Sequence, residues 1–200
     1  MRSLVVALAL ALLLVASQAF AGGAVYGLKG GLSIANLGGD DAGDVDSRMV
    51  GCFGGFVEIP INEMISFQPE ALYAMKGSKD EEGENTCTTK LTYIEIPMLF
   101  KVNIPTSGGI KPFIAAGPAV AFKLSATWEG TENDVPFDED IEDVKGTDLG
   151  LIIGGGVGFP FMNRTAMLEG RYDLGLTTIV DVEDVDVKNN VISVLVGIAF

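Results

Sequence analysis

From Ile65 to Lys76 the chain alternates in character with a period of two. Ile65, Phe67, Pro69, Ala71, Tyr73 and Met75 fall on one face, and Ser66, Gln68, Glu70, Leu72, Ala74 and Lys76 on the other. Successive side chains of a β-strand point to opposite faces, so this pattern predicts a strand with one apolar and one polar side. Thr92–Lys101 repeats it, with Ile94, Ile96, Met98 and Phe100 opposed to Tyr93, Glu95, Leu99 and Lys101. Ala166–Leu174 sets Leu168, Tyr172 and Leu174 against Glu169, Arg171 and Asp173. A helix would scatter these charges around its surface. Weaker copies at Val25–Asn36, Met49–Ile59, Lys111–Thr127, Leu149–Phe159 and Val191–Phe200 bring the expectation to eight strands of about 10 to 14 residues.

The connections between these segments are of two kinds. Ile61–Met64, Ile104–Gly109 and Met162–Arg164 are short turns carrying Asn, Pro or Gly. Leu37–Ser47, Gly77–Thr88, Trp128–Gly146 and Asp181–Lys188 are longer, and these four hold 20 of the 27 acidic residues. Short and long connections alternate, which predicts an up-and-down meander with tight turns at one end and acidic loops at the other. That segregation reconciles a positive mean hydropathy with a formal charge of −14. No linker, solenoid repeat or low-complexity tract divides the chain. The acidity, with no basic stripe, excludes a nucleic-acid partner.

Met1–Arg2, the apolar run Leu4–Val15 and Ala19-Phe20-Ala21 predict a secretory signal peptide over residues 1–21. The run is shorter than the roughly 20 residues of a spanning helix. The expected fold therefore occupies residues 22–200 as one domain. Its apolar strand faces point inward in a soluble barrel and outward in a membrane barrel. Three features favour the membrane. Strand length suits a tilted crossing of the bilayer. Short turns at one end and long loops at the other match periplasmic turns and extracellular loops. The last strand would direct Ile192, Val194, Val196, Ile198 and the terminal Phe200 outward.

Several segments in order carry a family resemblance: Tyr26-Gly27-Leu28-Lys29-Gly30-Gly31-Leu32, Phe67-Gln68-Pro69-Glu70 with Lys76-Gly77, and Tyr93-Ile94-Glu95-Ile96-Pro97. Pro112-Phe113 with Ala116-Gly117-Pro118, Gly154-Gly155-Gly156, Leu168-Glu169-Gly170-Arg171-Tyr172 and Phe200 complete the set. Across the region after the leader the sequence resembles the PorT-like outer-membrane β-barrel domain proteins, the "porin family" group. The resemblance implies an eight-stranded barrel in the outer membrane, and it implies that Phe200 acts as the signal read by the barrel-assembly machinery.

The search for chemistry returns little. With no histidine in the chain, no catalytic triad or histidine-based metal site is encoded. Enzymes among outer-membrane barrels resemble one another in needing a histidine base. Gly154–Gly158 lacks the Lys-Ser/Thr of a phosphate loop, so its glycines read as room on a strand face. Asp138, Glu139 and Asp140 offer hard oxygen ligands to a divalent cation, although a solvated acidic rim is the simpler account. Glu70, Glu95, Lys101, Glu169, Arg171 and Asp173 fall on the face that would be luminal, where paired charges fill a narrow barrel. On the same parity Gly150, Gly154, Gly156, Ala115, Gly117 and Ala119 leave one wall with little bulk, which predicts that Arg171 reaches over it to Glu70, Glu95 or Glu169. Cys52 and Cys87, an even pair in an exported chain, suggest a disulfide.

The expectation is an all-β, eight-stranded antiparallel up-and-down transmembrane barrel, non-enzymatic and without a cofactor. Its role would be structural or surface-interacting, with outer-membrane lipid as solvent, termini in the periplasm and loops outside the cell. The rival readings are a narrow small-solute porin and a secreted barrel with an apolar ligand inside. Eight strands leave an interior filled by side chains, which weighs against the first. The second would place charges such as Glu95 and Arg171 on the outside.

Overall fold

A computed structural model describes residues 23–43, 45–82, 85–132 and 135–200, so the expected signal peptide lies outside the described residues. Among the described residues nine antiparallel strands follow one another: β1 (Val25–Gly38), β2 (Asp46–Pro60), β3 (Ile65–Glu82), β4 (Asn85–Asn103), β5 (Lys111–Glu132), β6 (Val135–Asp140), β7 (Thr147–Phe161), β8 (Arg164–Gly175) and β9 (Lys188–Ala199). Eight of them form a closed barrel. Sequence neighbours pair from β1 to β5, β5 pairs with β7, and β7, β8 and β9 follow; β9 then returns to β1. Closure leaves the eight barrel strands without an open edge, the condition a sheet must meet to sit in hydrocarbon.

The additional strand β6 and the extended β3 and β4 correct the loop assignments. Gly77–Thr88 is no long loop: β3 and β4 stay in register from Gly77↔Lys90 to Glu82↔Asn85. Trp128–Gly146 likewise begins as strand, with β6 folding back on β5 from Glu132↔Val135 to Thr127↔Asp140. These extensions are rich in Thr, Asp and Glu. Strand pairing needs only backbone partners, and a ribbon solvated on both faces has no reason to alternate, so the period-two signal stops where the barrel ends.

The strand faces are inverted relative to a soluble protein. Leu28, Leu32, Phe53, Ile153 and Val196 point outward, each at least 60% exposed, while Lys29, Glu70, Glu95, Glu169 and Arg171 are buried. At the short-turn end the outer face carries aromatic pairs: Tyr26 stacks on Phe200 with ring centroids 5.9 Å apart, and Phe67 meets Phe100 at 5.4 Å. At the opposite end the loops knit together over the mouth. The Lys145 N–H donates to the Ile179 carbonyl, Ile179 to Val187, and Asp181 to Asp143. This brings Val144, Ile179 and Val187 down onto Leu91, Tyr93, Ala121 and Ala126 as a buried apolar cap.

Candidate functional site

The lumen holds the most concentrated chemistry among the described residues, and the strand register builds it. On β1, Gly27, Lys29, Gly31 and Ser33 share the inward parity, and Lys29 stands opposite Gly54 of β2 and Gly197 of β9. A Cβ at Gly54 would run into the Ala71 carbonyl of β3, and one at Gly197 into Met167, so close packing holds both of its neighbours to glycine. On β8 the inward series is Glu169, Arg171 and Asp173, and Arg171 stands opposite Gly154 of β7. A Cβ at Gly154 would lie 2.8 Å from the Arg171 Cβ, so a larger residue there would collide with the arginine. The remaining thin wall, Ala115 and Ala119 with Ile152, is filled by Phe113 and Leu99 in a small apolar cluster.

The charges sort into layers along the barrel axis. Nearest the short turns, Lys101 donates to Glu58 at 2.7 Å, and Ser66 donates to the other Glu58 oxygen at 2.8 Å. One level up, the Lys29 ammonium bridges Glu70 and Glu169, each at 2.7 Å. Arg171 reaches the second oxygen of Glu70 through Nη1 at 3.0 Å and Nη2 at 3.1 Å, and Nη2 also meets Glu169 at 3.1 Å. Two cations and two carboxylates thus close a cycle, with Gln68 donating to Glu70 at 2.7 Å. In the next layer Lys76 lies between Glu95 at 2.7 Å and Asp173 at 2.6 Å. Above it Asn189 donates to Asp148 at 2.9 Å, beneath the apolar cap. Aromatic rings face the ammonium groups: Phe113 lies 4.3 Å from the Lys101 nitrogen and Phe56 lies 5.1 Å from that of Lys29.

All six charges singled out in the sequence face the lumen, but they do not form one network. Glu70, Glu169 and Arg171 meet; Glu95 and Asp173 meet through Lys76; Lys101 belongs to Glu58, apart from both. Lys29, Lys76, Glu58 and Asp148 were not singled out. Parity alone marks Lys76, since it shares the Glu70 face, whereas its partner Asp173 lies 97 residues away on another strand.

Two sequence-based sites fare differently. Cys52 and Cys87 are both free thiols, which corrects the expected disulfide. Cys52 sits opposite Ala74 of β3 and Cys87 opposite Asp80. Six residues of strand separate those positions, about 20 Å, while a disulfide requires Cα atoms within roughly 7 Å. The intervening extension, unseen in the sequence, carries Cys87 away from the mouth. There burial and the Asp80 carboxylate push its thiol above the ordinary value. Asp138, Glu139 and Asp140 lie in a row along β6, opposite Glu129, Trp128 and Thr127. Successive strand residues point to opposite faces, so they do not converge. Among the described residues no group of three or more His, Cys, Asp or Glu side chains is placed to hold a metal ion.

A closed barrel with an apolar exterior and an ion-paired interior defines the class of membrane-spanning β-barrels. The family described as outer membrane protein beta-barrel domain matches residues 16–181, and this chain belongs to that family. No curated protein sequence matches it significantly. Among solved structures it is similar to Ail, the attachment invasion locus protein of Yersinia pestis, at 12% identity and a TM-score of 0.48, covering 88% of this chain and 99% of that chain. Neisserial surface protein A is similar at 15% identity and a TM-score of 0.49, covering 89% and 99%. The N-terminal β-barrel domain of Pseudomonas aeruginosa OprF shows 11% identity and a TM-score of 0.40, covering 87% and 97%.

Proposed function

We propose that this protein is a non-enzymatic, closed outer-membrane barrel that serves as a rigid scaffold presenting an acidic surface outside the cell. The short turns and both termini face the periplasm in this reading, and the loop end faces out. One observation carries it: the lumen is occupied along its length by ion-paired layers and is covered at the loop end by Val144, Ile179 and Val187. An interior of this kind suits a structural or surface-interacting role better than passage of a solute. The extended β3–β4 and β5–β6 ribbons lift their own acids, Asp80, Asp138, Glu139 and Asp140 among them, clear of the barrel, where they meet solvent, head groups or a partner. Divalent cations would bind there as diffuse counter-ions of the acidic rim. Phe200, on the outer face beside Tyr26, is available to the barrel-assembly machinery as the terminal aromatic signal.

The orientation is tested by treating intact cells with a glutamate-specific protease. Cleavage at Glu183 in the last loop with Glu63 in the first short turn spared supports this reading. Cleavage at Glu63 with the loops intact contradicts it.

A further inference from the structure

We propose that the lipid-facing surface near the short turns carries a binding site for one anionic glycerophospholipid, with an acyl chain in a groove over Ala166 and the phosphate on Arg164. Across β7, β8, β9 and β1 the outward residues at one level are Phe159, Ala166, Ile198 and Leu28, in that order. Ala166 is the small member of a row of large ones, and with Gly30 it helps to form an apolar groove of about 470 Å³ whose wall includes Phe161.

A cation stands at the lower end of this groove. Arg164 precedes Ala166 by two residues on the same face, so it lies about 7 Å nearer the short turns. Phe161 stands opposite it across the ladder. Its guanidinium lies 4.0 Å over the Phe200 ring, and among the described residues it has no carboxylate partner. A planar guanidinium with free donors matches a phosphate diester. Neither Glu58, which points inward to Lys101, nor the Phe200 carboxylate forms an ion pair with Arg164 among the described residues. The chain as a whole is strongly acidic, and its acids gather at the far end, so an anionic head group is accepted only at this one. A polypeptide occupant is disfavoured, because its backbone would find almost no polar partner in the groove. The physiological leaflet follows from the orientation proposed above, but binding itself does not.

Full-length protein folded in detergent and stripped of lipid would be titrated with palmitoyl-oleoyl phosphatidylglycerol, and separately with palmitoyl-oleoyl glycerol of the same chains, by native mass spectrometry. A shifted band on unheated gels confirms that each variant is folded. The expected result is one phosphatidylglycerol per chain, held about tenfold more tightly than the diacylglycerol, the scale of one charge-assisted contact. Arg164→Gln should remove that tenfold preference, and Ala166→Leu, which fills the groove, should weaken both lipids. Equal retention of the two lipids by the native chain, or a preference unchanged in folded Arg164→Gln, overturns the proposal. Should Ala166→Leu fail to fold, the Arg164→Gln comparison decides alone. A wrong orientation would show in the protease experiment and leave this result intact.

Discussion

Arg171 holds Glu70 through both terminal nitrogens of its guanidinium, at 3.0 and 3.1 Å, across the barrel and 101 residues apart in the chain. The same glutamate is held on its other oxygen by Lys29, so β1, β3 and β8 are tied at one buried point. Removing one partner of such a set leaves charge without compensation, which costs more than the pair itself contributes.

Arg171→Ala should therefore destabilise the folded barrel by about 3 to 5 kcal/mol in urea-induced unfolding. Glu70→Gln should cost less than Glu70→Ala, since its one amide oxygen still accepts from the cation on that side, while its NH2 group, a donor, loses the other. An Arg171→Ala protein as resistant as the native one would show that this cluster does not hold the strands.

Lys76 stands between Glu95 and Asp173, and without it two carboxylates would face each other in the lumen. Lys76→Met should lower stability by several kcal/mol, on the order of 3 to 5. Adding Glu95→Gln and Asp173→Asn to it should restore a large part of the loss. A triple variant as unstable as the single one would mean that Lys76 acts through packing and not through charge.

These clusters also show how far the chain could be read without its fold. Alternation placed Glu70, Glu95, Glu169, Arg171 and Asp173 on one side of their strands, because parity is a property of each strand alone. Which charges touch is set by register between strands, and only the closed sheet brings Lys29 to Glu169, 140 residues on. Lys29 was hidden for a second reason. Its strand is rich in glycine, and a single charge between Gly27 and Gly31 gives a faint pattern. The extensions to Glu82 and Asp140 left no trace, since a ribbon wetted on both faces needs no alternation. The disulfide failed with them: Cys87 rides on the unread extension while Cys52 stays inside the barrel.

Thiol labelling separates those two cysteines. Unreduced, denatured protein should show two reactive thiols per chain, and the folded protein one, at Cys87. The raised Cys87 thiol value means that the reactive thiolate is scarce at neutral pH, so its labelling rate should climb as pH rises past the ordinary cysteine range. A single fast-reacting thiolate at neutral pH, or no thiols in the denatured chain, would contradict this arrangement.

Phe200 stacks on Tyr26 and lies under Arg164, outside the lumen and in none of the ion-paired layers. Its deletion should lower the amount of folded protein recovered from the membrane fraction, while the molecules that do fold keep an unfolding midpoint close to native. Unchanged folded yield would remove the assembly role assigned to it.

The central claim is that the lumen is shut by its own side chains. Purified, folded protein inserted into a planar bilayer measures this directly, provided that incorporation is verified by its shift on unheated gels. The account predicts no steady ohmic conductance across the range of voltages a bilayer withstands, in native protein at neutral pH. A stable, long-lived open channel in the native protein would contradict it, because the layers from Lys101 to Lys76 and the cap at Ile179 would then have to leave a continuous wet path.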